Sequence, residues 1–319
     1  MKLVILDSKC ANPGDLSWSW LENTVDEFEI YEQTSSNQVF ERSKDADILV
    51  TNKVPITKEL IQKLPKLKYI AVLATGFNII DCKSAREHGI AVSNIPAYST
   101  DGVAQLVFAL LMEMTNQVGL HNKSVKDGDW CRSEHFCYWK TPLCELANKT
   151  FGIIGFGKIG SAVAQIANAM KMKVIAYSPN TRNYDGFGSV DFVSLETVIK
   201  ESDVISLHCP LTEETSGLVD KKFLEKMKKT AYLINTSRGP VINERDLFEA
   251  LENEVIAGAG VDVLSVEPAE ESNPLLKAEK CFITPHIAWA SLEARSRLMN
   301  IFKENVEGFV KGQPINVVN

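Results

Sequence analysis

Residues 151–160, "FGIIGFGKIG", decide the fold. An apolar, β-prone run enters a turn in which Gly155, Gly157 and Gly160 stand in the order G-x-G-x-x-G, and the turn opens into helix-like "KIGSAVAQIANAM". In a strand–turn–helix each glycine has a separate physical task. Gly155 permits the tight turn, Gly157 lets a pyrophosphate approach the backbone, and Gly160 lets the helix sit close to the sheet. Free N–H groups at the helix start face the anion. Phe156, Lys158 and Ile159 therefore join the three glycines as expected dinucleotide-binding positions.

Outward from this turn the chain alternates between short strands and helices. "LVIL", "DILV", "YIAVLA" and "IAVSN" precede it, and "KVIAY", "DVISLH", "AYLIN", "IAGAGV" and "CFIT" follow. Helical segments with recognisable ends lie between them: Thr57 caps "KELIQKL", Gly89 closes "CKSAREH", and Asn243 caps "ERDLFEALE". Such alternation predicts parallel sheets with helices on both faces. Two longer helices are expected. One follows Thr100 and Asp101, with Val103, Leu106, Val107, Leu110, Leu111 and Met114 at helical spacing; the other follows Ser291, with Leu298, Ile301, Phe302 and Phe309, and ends near Gly312. Their positions suit two connections between domains, and 319 residues suit two domains.

Bulk properties narrow the function classes. With 45% hydrophobic and 24% charged residues and no low-complexity tract, the chain reads as globular. Its net charge is −7 with the acids dispersed, so no basic stripe is available for nucleic acid. "MKLVILDSKC" is too short an apolar run for a signal peptide, and nothing approaches the roughly 20 apolar residues of a membrane span. Seven cysteines without paired spacing read as reduced thiols of a cytoplasmic protein. Cys131, His135, Cys137 and Cys144 match no common zinc pattern, so no metal is expected.

Parallel strands bring every following loop to one edge, where ligands of such sheets sit. In the second half of the chain, four polar clusters directly follow strands: Gly155 to Gly160, Thr236–Ser237–Arg238, Asp262, and His286. Glu267 lies five residues past Asp262. Singly, each has an ordinary structural reading: a histidine satisfied in the core, a turn glutamate, an aspartate cap, an arginine paired with a structural acid. Together, on the edge that carries the dinucleotide turn, they favour a site. Hydride transfer to a ketone leaves negative charge on oxygen, which needs a proton donor, and histidine can supply and recover that proton near neutrality. A carboxylate beside an imidazole favours the protonated ring. Arginine's planar fork matches a substrate carboxylate, so Arg238 is expected to hold a 2-oxo acid and polarise its carbonyl. The strand "KVIAYSPNTR" ends at Ser178, 18 residues past Gly160, where an acid would select NAD; Arg182 stands where it can meet a 2′-phosphate. The choice between NAD(H) and NADP(H) stays open.

With these residues in place, the sequence resembles the D-isomer-specific 2-hydroxyacid dehydrogenases over essentially its whole length. The resemblance implies that Arg238, Glu267 and His286 are catalytic, with Arg238 and His286 also binding substrate. It puts Asp262 and Thr236 on the cofactor side. "HCPLTEET" places His208, Cys209, Pro210 and Thr215 along the cofactor, and Thr100 faces it. Within "ATGFNIIDCKSAREHGIAVSNIPAYSTDGVAQ", backbone N–H groups around Thr75 and Gly76 would hold the substrate carboxylate.

The implied architecture is α/β: two doubly wound parallel-sheet domains, with a Rossmann cofactor domain at 101–286 inserted in a flavodoxin-like substrate domain formed by 1–100 and 287–319. The site would lie between them. "GDWCRSEHFCYWKTPLCELANKTFGIIGFGKIG" is similar to the bacterial glycerate dehydrogenases, also called hydroxypyruvate reductases. That similarity implies reversible conversion of hydroxypyruvate or glyoxylate to D-glycerate or glycolate. It also implies a homodimer formed through the cofactor domain, with Trp139 as the aromatic that reaches the neighbour's site. Formate dehydrogenases share the pattern but carry glutamine at the position of Glu267. Phosphoglycerate or D-lactate dehydrogenase activity, and a dinucleotide-sensing interaction module like the related corepressors, are the alternatives.

Overall fold

The apolar runs form two all-parallel sheets in the computed structural model, which describes residues 1–179 and 188–319. Arg182 lies outside the described residues. The first sheet contains β1 (Lys2–Ile5), β2 (Glu27–Ile30), β3 (Ile48–Thr51), β4 (Tyr69–Val72) and β5 (Ala91–Ser93), in the order β2-β1-β3-β4-β5. The second contains β6 (Thr150–Ile154), β7 (Lys173–Tyr177), β8 (Asp191–Phe192), β9 (Val204–Leu207), β10 (Tyr232–Asn235), β11 (Gly258–Val261) and β12 (Cys281–Ile283), in the order β12-β11-β10-β9-β6-β7-β8. The chain divides into two compact units, Met1–Ser99 with Trp289–Asn319, and Thr100–Ala288.

Each sheet is buried on both faces because successive side chains along a strand point to opposite sides. In the first unit, Leu3, Ile5, Ile48 and Val50 pack with Leu298 and Phe302 of the helix Leu292–Val310. Their neighbours Val4, Leu49, Ile70 and Val92 pack with Ile61 and Ala85 on the other side. In the second unit, Ile153, Val174 and Ile234 meet Val107 and Leu111 of the helix Thr100–Asn116 and Val163 of the helix Lys158–Ala169. Ile205 and Leu233 face Val198, Leu224 and Leu247. Burying one such side chain contributes about 1.5–3 kcal/mol relative to exposure, which is why the strands are near-continuous apolar runs.

The helix ends follow from their local chemistry. The side chains of Thr57, Asn243 and Ser291 accept backbone N–H groups at helix starts. Gly89 (φ +70°) and Gly312 (φ +74°) adopt the left-handed conformation that closes a helix. The sequence runs miss two strands, β2 and β8. Both lie at sheet edges, where one side has no strand neighbour and an uninterrupted apolar run is not required; β2 reads "EFEI" and β8 is the exposed pair Asp191–Phe192. No single helix among the described residues is long and apolar enough to cross a membrane.

Candidate active site

The order of the seven-stranded sheet gathers the polar clusters. β6 and β9 are adjacent, with β7 on the far side of β6, so the connections diverge between them and leave the crevice in which parallel sheets bind ligands. The glycine turn stands at this point. Gly155 has φ +94°, and a Cβ there would lie 2.5 Å from the Cys209 backbone nitrogen. A Cβ at Gly160 would lie 2.4 Å from the Gly155 carbonyl oxygen, so the helix Lys158–Ala169 can sit this close only through glycine. At Gly157 a Cβ would meet nothing within 4 Å, and Gly157 caps the helix without a side-chain hydrogen bond. An open approach to uncapped helix N–H groups fits a pyrophosphate.

The loop after β9 closes on this turn. The His208 backbone N–H donates to the Ile154 carbonyl at 2.7 Å, and the ring Nε2 lies 2.9 Å from Ser206 Oγ. Burial pushes the His208 imidazole down to about 3, which keeps the ring neutral. Cys209 is buried, and burial raises its thiol. The Thr215 hydroxyl donates to the Pro210 carbonyl at 2.6 Å and accepts the Thr212 N–H at 2.8 Å, so it shapes this loop. Ser178 follows β7 directly, and Thr100 begins the helix Thr100–Asn116. The Thr236 hydroxyl is buried without a hydrogen-bond partner at the end of β10.

Strands β10, β11 and β12 are consecutive neighbours, so their terminal loops present Arg238, Asp262 and His286 side by side. Arg238 is exposed, and its Nη1 donates to the Ser237 carbonyl at 2.7 Å. A Cβ at Gly239 would lie 2.0 Å from the Leu264 carbonyl carbon, so glycine lets the Arg238 turn touch the backbone of the next loop. Asp262 is buried and accepts Thr284 Oγ1 at 2.6 Å, the Ile287 N–H at 2.8 Å and the Ala288 N–H at 2.9 Å. Burial pushes its carboxyl up, against the pull of those three donors and of His286. Asp262 thus anchors the stretch that carries His286; its carbonyl also accepts the His286 N–H at 2.8 Å, where the histidine backbone has φ +54°.

The decisive contact is between side chains. His286 Nδ1 lies 2.6 Å from Glu267 Oε2, with the two side chains 26% and 34% exposed. Glu267 Oε1 accepts the Leu264 N–H at 3.1 Å, which fixes the carboxylate plane. A histidine oriented by a carboxylate, an exposed arginine on the adjacent loop and a glycine-rich phosphate turn on the same edge form a set suited to hydride–proton exchange at a carbonyl.

Comparison with known proteins gives the family. The family model described as D-isomer specific 2-hydroxyacid dehydrogenase, NAD binding domain, matches residues 108–288. A hydroxypyruvate reductase from Blautia hydrogenotrophica is 47% identical, with 100% of both chains covered. The chain belongs to the D-isomer-specific 2-hydroxyacid dehydrogenases. A glycerate dehydrogenase from Methylorubrum extorquens is 40% identical to this dehydrogenase over 93% of each chain. Among solved structures, an acyclic imino acid reductase in complex with NADPH and D-Arg superposes with a TM-score of 0.87 at 35% identity over 100% of both chains. The protein is therefore an oxidoreductase of CH–OH groups with a nicotinamide dinucleotide as its cofactor.

Other residues named from the sequence do not directly follow strands of this sheet. Thr75 and Gly76 follow β4 in the first unit, where the Thr75 hydroxyl donates to the Ile95 carbonyl at 2.7 Å and the Thr75 carbonyl accepts Asn94 Nδ2 at 2.7 Å. Trp139 is 66% exposed. Among the described residues no group of three His, Cys, Asp or Glu is arranged to hold a metal ion. One residue absent from the sequence reading organises the arginine turn. Asn235, fully buried, donates from Nδ2 to the Arg238 carbonyl at 2.9 Å and accepts the Ser237 N–H and hydroxyl at 3.0 and 2.8 Å. An amide side chain closing an otherwise apolar strand was the available signal.

Proposed function

We propose that this dehydrogenase reversibly reduces hydroxypyruvate and glyoxylate to D-glycerate and glycolate, with Arg238, Glu267 and His286 as its catalytic residues. The observation that carries the residue assignment is the 2.6 Å contact between His286 Nδ1 and Glu267 Oε2, beside the loop of Arg238. The hydroxypyruvate reductase at 47% identity and the glycerate dehydrogenase at 40% support the substrate class.

The nicotinamide dinucleotide supplies the hydride that the carbonyl carbon accepts. Gly155, Phe156, Gly157, Lys158, Ile159 and Gly160 would hold its pyrophosphate at the turn. His208, Cys209, Pro210, Thr215, Thr236, Thr100 and Asp262 would help to bind it. Arg238 binds the 2-oxo acid carboxylate and draws electron density from the neighbouring carbonyl. Because Nδ1 of His286 faces Glu267, Nε2 is the atom that gives its proton to the carbonyl oxygen as the alcohol forms. In oxidation, Nε2 takes the hydroxyl proton back. Glu267 orients the ring through its contact with Nδ1.

Three further features belong to this proposal. Ser178 offers a hydroxyl where a carboxylate would repel a 2′-phosphate, which supports use of either NADH or NADPH. Trp130, Phe136, Trp139 and Leu143 are exposed on one short stretch, an apolar surface that a second copy of the chain would cover in a homodimer. All seven cysteines are free thiols, as suits the cytoplasm. A panel of 2-oxo acids with each dinucleotide tests the activity. Hydroxypyruvate or glyoxylate is expected to give the highest kcat/KM; oxidation of neither dinucleotide with any 2-oxo acid overturns the proposal. Sedimentation analysis tests the dimer.

A further inference from the structure

We infer that Glu244 is a positioning residue that fastens both ends of the loop bearing Glu267 and so holds the carboxylate against His286. This rests on the roles proposed above for Glu267 and His286.

The loop leaves β11 and returns at Asn273 before the short turn Pro274–Lys277. Glu244 opens the helix Glu244–Glu252, whose start is capped by Asn243. Its Oε1 accepts the Ser265 N–H at 2.6 Å, and its Oε2 accepts Asn273 Nδ2 at 2.9 Å. One carboxylate thus ties the outgoing and the returning stem, through charge-assisted bonds stronger than those between neutral groups. Asn273 is itself buried and accepts the Leu275 N–H at 3.0 Å, so the returning stem is anchored in turn.

The outgoing stem is the one that aims Glu267. Leu264, next to Ser265, donates its N–H to Glu267 Oε1 at 3.1 Å, which leaves Oε2 for His286 Nδ1. Gly239 sets the backbone after Arg238 directly against Leu264 and Ser265. Between helix and loop runs a groove of about 580 Å³, lined by Ile242, Glu244, Phe248, Ser265, Ser272 and Pro274. The Glu244 carboxylate bridges the two walls of this groove. A residue outside the reacting set therefore ties down the loop whose Glu267 meets His286.

The test compares Glu244→Ala, Glu244→Gln, Glu267→Gln and the double variant Glu244→Ala/Glu267→Gln in the full-length enzyme, with hydroxypyruvate and NADH. Glu244→Ala is expected to lower kcat on the order of tenfold, because small misplacements of reacting groups are expensive in rate, with KM for NADH unchanged. Glu244→Gln, which keeps one acceptor oxygen, is expected to lose less. The double variant is expected to be no slower than Glu267→Gln alone, since groups acting through one another are non-additive. Amide hydrogen exchange in 264–273 is expected to accelerate in Glu244→Ala. Losses that multiply in the double variant, or unchanged exchange in the loop, overturn the inference while leaving the roles of Glu267 and His286 standing. Wild-type turnover in Glu267→Gln overturns those roles and this inference with them.

Discussion

Two histidines follow strands of the same seven-stranded sheet and differ in the partner behind the ring. His208, directly after β9, is partly buried, pairs with the Ser206 hydroxyl, and is held neutral with its imidazole pushed down to about 3. His286, after β12, keeps about a quarter of its side chain exposed and faces a carboxylate 2.6 Å away. The same residue type on the same edge is thereby given different work. Burial beside a neutral hydroxyl disfavours the charged ring of His208, whereas a carboxylate behind His286 orients its ring. Histidine identity alone therefore says little, and the partner atom decides the role.

Substitutions can break or sharpen this contrast. The largest effect is expected for His286→Ala, in which kcat for 2-oxo acid reduction falls by about 10²–10⁴ through loss of general acid catalysis, while NADH affinity measured by fluorescence titration changes little. Next comes Arg238→Ala, with KM for the 2-oxo acid raised about ten- to a hundredfold and kcat reduced, as loss of a charge-assisted pair implies. Gly160→Ala places a methyl 2.4 Å from the Gly155 carbonyl oxygen. Overpacking of that kind typically costs about 1–3 kcal/mol, and it is expected to weaken NADH binding more than it alters the turnover of bound substrate.

The smallest effect concerns His208 and the pH dependence of stability. Its folded value of about 3 lies below the ordinary 6.5, so the unfolded chain binds a proton that the folded chain excludes. Stability from this source is complete above 6.5 and is lost as pH falls from there toward 3. Denaturant unfolding of His208→Asn across this window is expected to show a flatter acid limb than the wild-type protein. An unchanged slope contradicts the neutral ring.

The two histidines also show what a sequence reveals and where it stops. Parallel alternation was legible because strands covered on both faces must be apolar runs, and the runs from "LVIL" to "CFIT" all became strands. Edge strands β2 and β8 escaped because a strand with one neighbour does not need such a run. That Arg238, Asp262 and His286 follow strands onto one edge was legible from parallel order; that those strands are neighbours, and how their loops are linked, was not. Asn235 and Glu244 act through hydrogen bonds to other residues; an amide closing an apolar strand marks the first, but the partners that each takes are not written in the sequence. Gly239 reads as a turn glycine, yet its tightest constraint is the Leu264 carbonyl on another loop.

The central claim is that His286 exchanges the substrate proton, and the most direct measurement is the pH dependence of both reaction directions in the wild-type enzyme and in His286→Gln. Hydroxypyruvate reduction is predicted to slow toward alkaline pH and D-glycerate oxidation toward acid pH, with both dependences lost in the variant alongside most of the rate. Retention of the wild-type rate, or of both pH limbs, in His286→Gln would contradict the account.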